Sequence, residues 1–347
     1  MIRSTGHSLP SDPAATAARS GRGPKVLLAA TAVAALGAVP WLGLGDYPMH
    51  LLVMALLWAY VYTSWSIMGR LGLVSFGHGA FLGIGAYSAV VLWNLFGLSP
   101  WVGLVAGVLV TLVVAFVIGY PSFRFRIVGH YFALVTLALS EVTRLVIVGL
   151  RDWTGGSLGV TPRTALSGGA AMSLPAMQFA DKRVWFYLML VAWLIGLLIW
   201  HRVDRSMARL ALQAISEDED AAASIGIGVA RTKLSVMLLS AAMTAVGGVL
   251  HAQYQLYVNP ETVSGIAVSL QMVFGVIAGG MFVLLGPTVG AVFLLMLSEG
   301  LRIVVGNDLH GVDTTIYGLL LVLFIIFMPN GILGTVMSAL RRHRQDR

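Results

Sequence analysis

Long apolar runs alternate along this chain with short polar breaks. Ten apolar segments stand out, at roughly 25–45, 49–68, 78–95, 100–120, 130–150, 184–201, 233–252, 264–285, 287–306 and 312–330. About 20 mainly apolar residues cross the hydrocarbon core of a bilayer as a helix, and most of these runs reach or approach that length. The pattern predicts an all-α, polytopic membrane helical bundle of about 8–10 transmembrane helices. Several runs are short and rich in glycine, so one or two are expected to be re-entrant. Such backbone is tolerated at membrane depth only where protein or a water-filled cavity surrounds it.

One polar break is far longer than the others. From His201 to Lys233 the chain carries Arg202, Arg205, Arg209, Arg231 and Lys233, with Asp204 and the acidic block Glu217, Asp218, Glu219 and Asp220. Charges cost several kcal/mol each inside a bilayer, so this segment sits in water. Asp204 is a plausible N-cap for a first short helix ending near Ile215. Ser216 and Glu219 match the S-x-x-E capping box of a second, which Gly226 stops. Leu210, Ala214, Ala221, Ala222 and Ile225 suggest an apolar stripe. Connections between membrane helices are usually only a few residues long, so a segment of this kind is expected to be a handle for a soluble partner. A second long break, the 150–183 loop, is rich in Gly, Pro, Ser and Thr and predicts ordered turns. It is either a plain connector or a cap on which something docks.

Composition supports the membrane reading. The chain is 58% hydrophobic and 11% charged, where a soluble domain carries about 25% charged residues; its mean hydropathy is +0.86. It has no cysteine, so thiolate catalysis, disulfides and cysteine metal sites are excluded. It has no H-E-x-x-H pair, and no metal site is expected. There is no G-x-x-x-x-G-K-[ST] loop and no Gly-Lys dipeptide, so the chain shows no phosphate cradle of its own. The net charge of +7 does not require nucleic acid. With both termini in the cytoplasm, sixteen of the 22 Lys and Arg residues fall on the cytoplasmic side, and four fall in the 150–183 loop. That distribution satisfies the positive-inside rule. The expected organisation is a disordered cytoplasmic tail over 1–24, a transmembrane domain over 25–330 and a basic cytoplasmic tail over 331–347. Within the domain, a cytoplasmic segment covers 202–232 and an external loop 150–183. No cleavable signal peptide is evident. The basic tails can touch anionic lipid, at roughly 1 kcal/mol per residue.

Three apolar stretches carry candidate chemistry. GRLGLVSFGHGAFLGIGAY, from Gly69, places Ser75, Gly77 and His78 in a run broken by glycine. FGVIAGGMFVLLGPTVGA, from Phe274, places Gly279 and Gly280 in a similar run in the other half. Broken hydrophobic segments in corresponding parts of two halves point to a transport path; tight helix packing is the other reading. A lone His such as His78 is more often a structural hydrogen-bonding group than a metal ligand. The third stretch, GHYFALVTLALSEVTR over 129–144, holds Tyr131, Thr136, Glu141 and Arg144. Glu141 and Arg144 share a helical face, either as an ion pair that fixes packing or as a polar lining to a path.

Taken together, the stretches GLVSFGHGAFLGIGAY, GHYFALVTLALSEVTR, TGGSLGV, ARLALQAISEDEDAAASIGI, KLSVMLLSAAMTAVGGVLHA and AGGMFVLLGPTVGA resemble the LivM-type permease family of branched-chain amino acid ABC importers. They span about 70 to 300 in that family's order. The resemblance implies a transport subunit, not an enzyme, that works by alternating access in the bacterial plasma (inner) membrane. It binds no cofactor itself; ATP is used by two partner ATPase subunits. A second, LivH-like permease and a periplasmic or lipid-anchored substrate-binding protein complete the implied assembly. It also assigns 208–227 to ATPase coupling, with Arg209, Ala214, Ile215, Glu217, Asp218, Glu219, Ala222 and Gly226 as the contact set. Three positions depart from the family pattern: Leu210 follows Ala208-Arg209, Ser216 precedes the acidic block, and Phe282 follows Gly279-Gly280-Met281. The alternative, from a different class, is an ion-coupled secondary transporter acting without an ATPase, with Glu141 and Arg144 as its relay. An intramembrane hydrolase is disfavoured by the absence of cysteine and of a His/acid motif.

Overall fold

A computed structural model describes residues 22–166, 172–305, 318–319 and 331–335. The chain divides into two units, 1–46 and 47–347. The described part of the first is a helix, α1 (Arg22–Ala38), continued by a 3-10 turn over Val39–Leu42 that ends at Gly43, whose φ of 70° favours glycine. Residues 1–21 of the expected tail, most of the tenth apolar run and most of the basic C-terminal tail lie outside the described residues, while 22–24 belong to α1.

Among the described residues, the regular elements of the second unit are helices and one two-stranded ribbon. Its elements are α2 (Asp46–Gly69), α3 (His78–Phe96), α4 (Pro100–Arg124), α5 (Gly129–Gly149), α6 (Arg151–Thr154), β1 (Met172–Ser173), β2 (Gln178–Phe179), α7 (Lys182–Arg205), α8 (Met207–Glu217), α9 (Glu219–Ser224), α10 (Val229–Gln255), α11 (Pro260–Val263), α12 (Gly265–Gly279) and α13 (Gly286–Val305). Among the described residues, eight helical stretches are long and apolar enough to cross a membrane, with α11 and α12 together forming one of them. This is the polytopic bundle that the hydropathy pattern predicts. The 264–285 run is broken twice, by Ser264 and by the turn after Gly279. At 15 residues, α12 is about 22 Å long, short of the roughly 30 Å hydrocarbon core.

Burial separates the centre from the periphery. α2 is buried on every side from Leu56 to Gly69, as expected of a helix that is apolar all round. Its large side chains sit over glycines of other helices: a Cβ on Gly275 would meet the Tyr62 ring, and one on Gly196 would come within 2.9 Å of Tyr60. α10 is the other central element and packs against α3 and α4. At the α3–α10 crossing the backbones nearly touch, since a Cβ on Gly85 would collide with the Ala245 carbonyl and one on Gly248 with that of Leu82. α4, α5 and α13 expose apolar rows such as Val105, Leu109, Val113, Leu145, Val292 and Met296, the pattern of helices that face lipid.

The two ends of the bundle differ. At one end lie Arg70, Arg126 and the helices α8 and α9; at the other lies the 150–181 segment. The latter is ordered where described. Val160 and Val258 exchange two backbone hydrogen bonds of 2.9 Å. Trp93 and Asn94 at the end of α3 donate to the carbonyls of Arg163 and Thr161, each at 2.8 Å. The ordered turns read from its composition are therefore present.

Replacing Gly85 by Ala should separate α3 from α10 and destabilise the protein by about 1–3 kcal/mol, the usual cost of overpacking. Gly149→Ala, at a position with open space, is expected to be neutral. Thermal unfolding in detergent compares the two.

Candidate translocation and coupling sites

The chain between α2 and α3, residues 70–77, is not helical although it is flanked by buried helices. Its backbone groups find partners in side chains. The Ser75 carbonyl accepts from the Trp65 indole at 2.8 Å, Phe76 N donates to Thr136 Oγ1 at 3.0 Å, and Gly77 N donates to Ser75 Oγ at 3.3 Å. The first turn of α3 continues the pattern, with Gly79 N donating to Ser269 Oγ at 2.9 Å. Ser269 is bonded in turn to Ser140 at 3.0 Å, so α3, α5 and α12 meet through hydroxyls. On the other side, His78 Nε2 pairs with Ser240 Oγ at 2.7 Å; Ser240 donates to the Ser64 carbonyl at 2.6 Å, and Ser64 pairs with Thr244 at 2.8 Å.

Ser75, Gly77, His78 and Thr136 thus come together, all buried. Ser75 and Thr136 pin the broken segment, and His78 ties the start of α3 to α10 through Ser240. Tyr131 does not join them; it lies 75% exposed near the start of α5. Gly279 and Gly280 form the corner between α12 and α13. A Cβ on Gly279 would strike the Gly286 carbonyl, and Gly280 has φ 112°, so this corner admits only glycine. Ser64, Ser140, Ser240, Thr244 and Ser269 were not singled out from sequence. Isolated hydroxyl residues in apolar runs give only a weak signal; the i,i+4 spacing of Ser240 and Thr244, which puts both on one face, was the available cue.

Glu141 and Arg144 form an ion pair on α5 with Arg144 Nε 2.9 Å from Glu141 Oε1. The pair packs against Gly265, where a Cβ would come within 2.9 Å of the arginine Cδ. The two side chains remain 32% and 28% exposed, well inside the span of α5.

At the arginine-bearing end, α8 and α9 are fastened to the body at three places, and the end of α7 that leads into them at a fourth. Arg70 Nη1 lies 2.8 Å from Asp204 Oδ1, with its guanidinium 3.9 Å from the Trp200 ring centroid. Burial lowers the Arg70 pKa from its ordinary value, and the hydrogen bond to Asp204 opposes that shift. Lys233, almost wholly buried, pairs with Glu219. Arg126 pairs with Asp220 at 2.7 Å in full exposure, where such a pair is worth little. Finally, Gly72 lies under Ser216, close enough that a Cβ would come within 2.6 Å of its hydroxyl. Between these anchors lies a cleft of about 450 Å³ bounded by Arg70, Asp204, Arg209, Gln213, Glu217 and Phe282. Phe282 belongs to the turn after α12, so both broken segments border the two-helix module.

Local geometry corrects three details of the sequence reading. Asp204 does not cap a helix; it is in the last turn of α7 and serves Arg70. Ser216 lies within α8, and Asp218 caps α9 by accepting from Asp220 N at 2.9 Å and Ala221 N at 3.0 Å. Both residue types make good N-caps, but a chain leaving α8 at Asp218 presents that carboxylate to the next turn. The apolar stripe has a different phase: Leu212, Ile215 and Ala222 are buried, whereas Met207, Leu210 and Ile225 are 80%, 59% and 75% exposed. Of the coupling set, Ile215 and Ala222 therefore anchor the module, Ala214 and Glu219 are half-buried, and Arg209, Glu217, Asp218 and Gly226 face outward.

Residues 47–328 match the family described as branched-chain amino acid transport system, permease component. The chain is 30% identical over 292 residues to the Escherichia coli K12 high-affinity branched-chain amino acid transport system permease protein LivM, covering 79% of this chain and 67% of that one. It is 28% identical to the Salmonella typhimurium LivM over 84% of this chain and 76% of the relative. It also matches the E. coli K12 permease protein LivH, at 27% identity over 77% of this chain and 88% of that one. No solved structure matches. This chain belongs to the family of permease components of branched-chain amino acid transport systems.

Proposed function

We propose that this chain is one of two permease subunits of an ATP-driven importer of branched-chain or closely related amino acids, and that the module α8–α9 couples it to a separate ATPase. The observation that carries the reading is the placement of that module. It is a compact polar pair of helices, clamped to the body by Lys233–Glu219 and entered from an α7 end that Arg70–Asp204 holds, and it abuts both broken segments through Gly72 and Phe282. A displacement of α8 and α9 would reach the 70–77 segment and the α12–α13 corner directly. Met207, Leu210, Arg209, Glu217 and Ile225 present the outward surface an ATPase would grip. The charge distribution supports a cytoplasmic position for this end and for both termini. The 150–181 segment then faces a substrate-binding protein on the other side. The differential that drives transport comes from nucleotide binding to the partner, since a ligand with equal affinity for both states shifts neither.

The α5 face supports a second permease subunit. An ion pair about 30% exposed within a span is poorly suited to lipid. A neighbouring permease of related sequence would cover it and leave Glu141 and Arg144 on the wall of the path between the subunits. The likeness of this chain to proteins named LivM and to proteins named LivH suits a pseudo-symmetric pair. The ion-coupled alternative has no support among these relatives.

Changing Met207 and Ile225 together to Asp is expected to abolish co-purification of the ATPase and to cut uptake at least tenfold. Because neither side chain is buried, the thermal stability of the purified chain should stay unchanged. Retained ATPase in this variant would overturn the coupling assignment. Glu219→Ala, by contrast, leaves the buried Lys233 cation unpaired and should cost about 3 kcal/mol in unfolding free energy; Lys233→Met in the same chain is expected to recover most of it. Glu141→Gln should lower amino acid uptake by proteoliposomes at least tenfold while leaving ATPase binding intact. Wild-type uptake would place that pair outside the path.

A further inference from the structure

At the loop end of the bundle, α2, β2, the start of α7 and the last turn of α10 enclose a cavity of about 270 Å³. Ligand pockets typically run from about 300 Å³ upward, so this one suits a small molecule and not a peptide. Its walls are aromatic and braced against one another. His50 stacks on Tyr254 with ring centroids 5.5 Å apart and bonds the phenol oxygen through Nδ1 at 2.7 Å. Trp185 meets Tyr254 edge-on at 5.5 Å, and Phe179 meets Trp185 at 5.4 Å. The Trp185 indole is already engaged, donating to the Phe179 carbonyl at 3.1 Å.

Two glutamines line this cavity, each 1% exposed, and they differ in one respect. Gln178 is satisfied: its Oε1 accepts from Ala165 N at 2.8 Å, and its Nε2 donates to the Arg163 carbonyl at 2.9 Å. Gln253 is not: neither Oε1 nor Nε2 has a partner among the described residues. Buried amides with both ends unpaired are rare and call for an explanation. Lys182 lines the same cavity.

We propose that this cavity binds a single small α-amino acid with an apolar side chain, held by Gln253. The amide offers a donor and an acceptor side by side, which is the complement of an α-amino acid. The carboxylate accepts from Nε2 and from Lys182, and the ammonium donates to Oε1. The Tyr254 and Trp185 faces suit the ammonium by cation–π attraction and the aliphatic side chain by contact. The choice of an amino acid rests on the transport reading above. On that reading the cavity is a station at the mouth of the permease, between the binding protein and the path.

The test is thermal unfolding of the purified single chain in nanodiscs with millimolar L-leucine. Two truncated probes accompany it: 4-methylpentanoate, which lacks the amine, and isopentylamine, which lacks the carboxylate. Leucine should raise the midpoint by a clear margin, and each truncated probe should need at least about tenfold more ligand for the same shift, because it leaves a buried partner unpaired. Gln253→Leu removes an amide that makes no bond among the described residues. It is expected to unfold at the same or a higher temperature without ligand and to lose the leucine shift. Gln253→Met gives the same comparison with a more adaptable side chain. No leucine shift in the wild-type chain, an equal shift in the Gln253 variants, or equal shifts for all three probes would overturn the proposal and leave the cavity to water. The measurement uses no ATPase. A missing shift beside intact ATPase binding and uptake would remove this site alone, whereas a leucine shift together with failure of the chain to co-purify an ATPase from cells would remove the coupling reading and keep the site.

Discussion

The structure depends on satisfying backbone hydrogen bonds where a helix is interrupted inside an apolar bundle. Residues 70–77 leave N–H and C=O groups without helical partners in a setting where water is scarce, and each unpaired group costs several kcal/mol there. The chain meets that constraint with Trp65, Ser75 and Thr136, and Ser269 does the same for Gly79 in the adjoining first turn of α3. Because these residues sit on α2, the segment itself, α5 and α12, the need to bond one short segment draws four parts of the fold to one point. The hydroxyls of Ser64, Ser240 and Thr244 tie α10 to the same point through His78.

An interruption held this way is also a place where the structure can change. A regular membrane helix satisfies its own backbone and moves as a rod, whereas a segment held by side chains can exchange one set of partners for another. The second interruption, at Gly279–Gly280, is made by close backbone approach and not by hydroxyls, since Gly279, Gly286 and Gly290 leave no room for a Cβ. Both interruptions border α8 and α9. The half-buried ion pair Lys233–Glu219 clamps that module to the body, and Arg70–Asp204 holds the end of α7 that leads into it, so the module is not a loosely tethered linker.

Much of the fold was legible in the sequence. Hydropathy located the spans to within a few residues, because a bilayer demands long apolar runs whatever the tertiary packing. The family was legible in stretches such as GLVSFGHGAF and AGGMFVLLGP, where glycine spacing and polar residues coincide. Other features depended on three-dimensional phase. Leu210 and Leu212 are both plausible inward residues of α8, and only packing on the body shows that Leu212 faces in. Ser216 and Asp218 are both sound N-caps, and the exit angle from α8 decides between them. The hydroxyl network was hidden because single Ser and Thr residues in apolar helices also occur where they bond only their own helix, as Thr63 does with the Ala59 carbonyl. The cavity at Gln253 was out of reach, since Gln178 and Gln253 look alike in sequence and differ only in what surrounds them.

The central claim is that a separate ATPase acts on this chain through α8 and α9. The chain contains no cysteine, so a single cysteine introduced at Met207 or at Leu174 can report contact by site-specific cross-linking. Both positions are well exposed, at opposite ends of the bundle. In membranes from cells expressing the full transport system, the account expects a cross-link to the ATPase from position 207 that changes with nucleotide, and none from position 174. An ATPase cross-link from position 174, or none from 207 while ATP-dependent uptake proceeds, would contradict it.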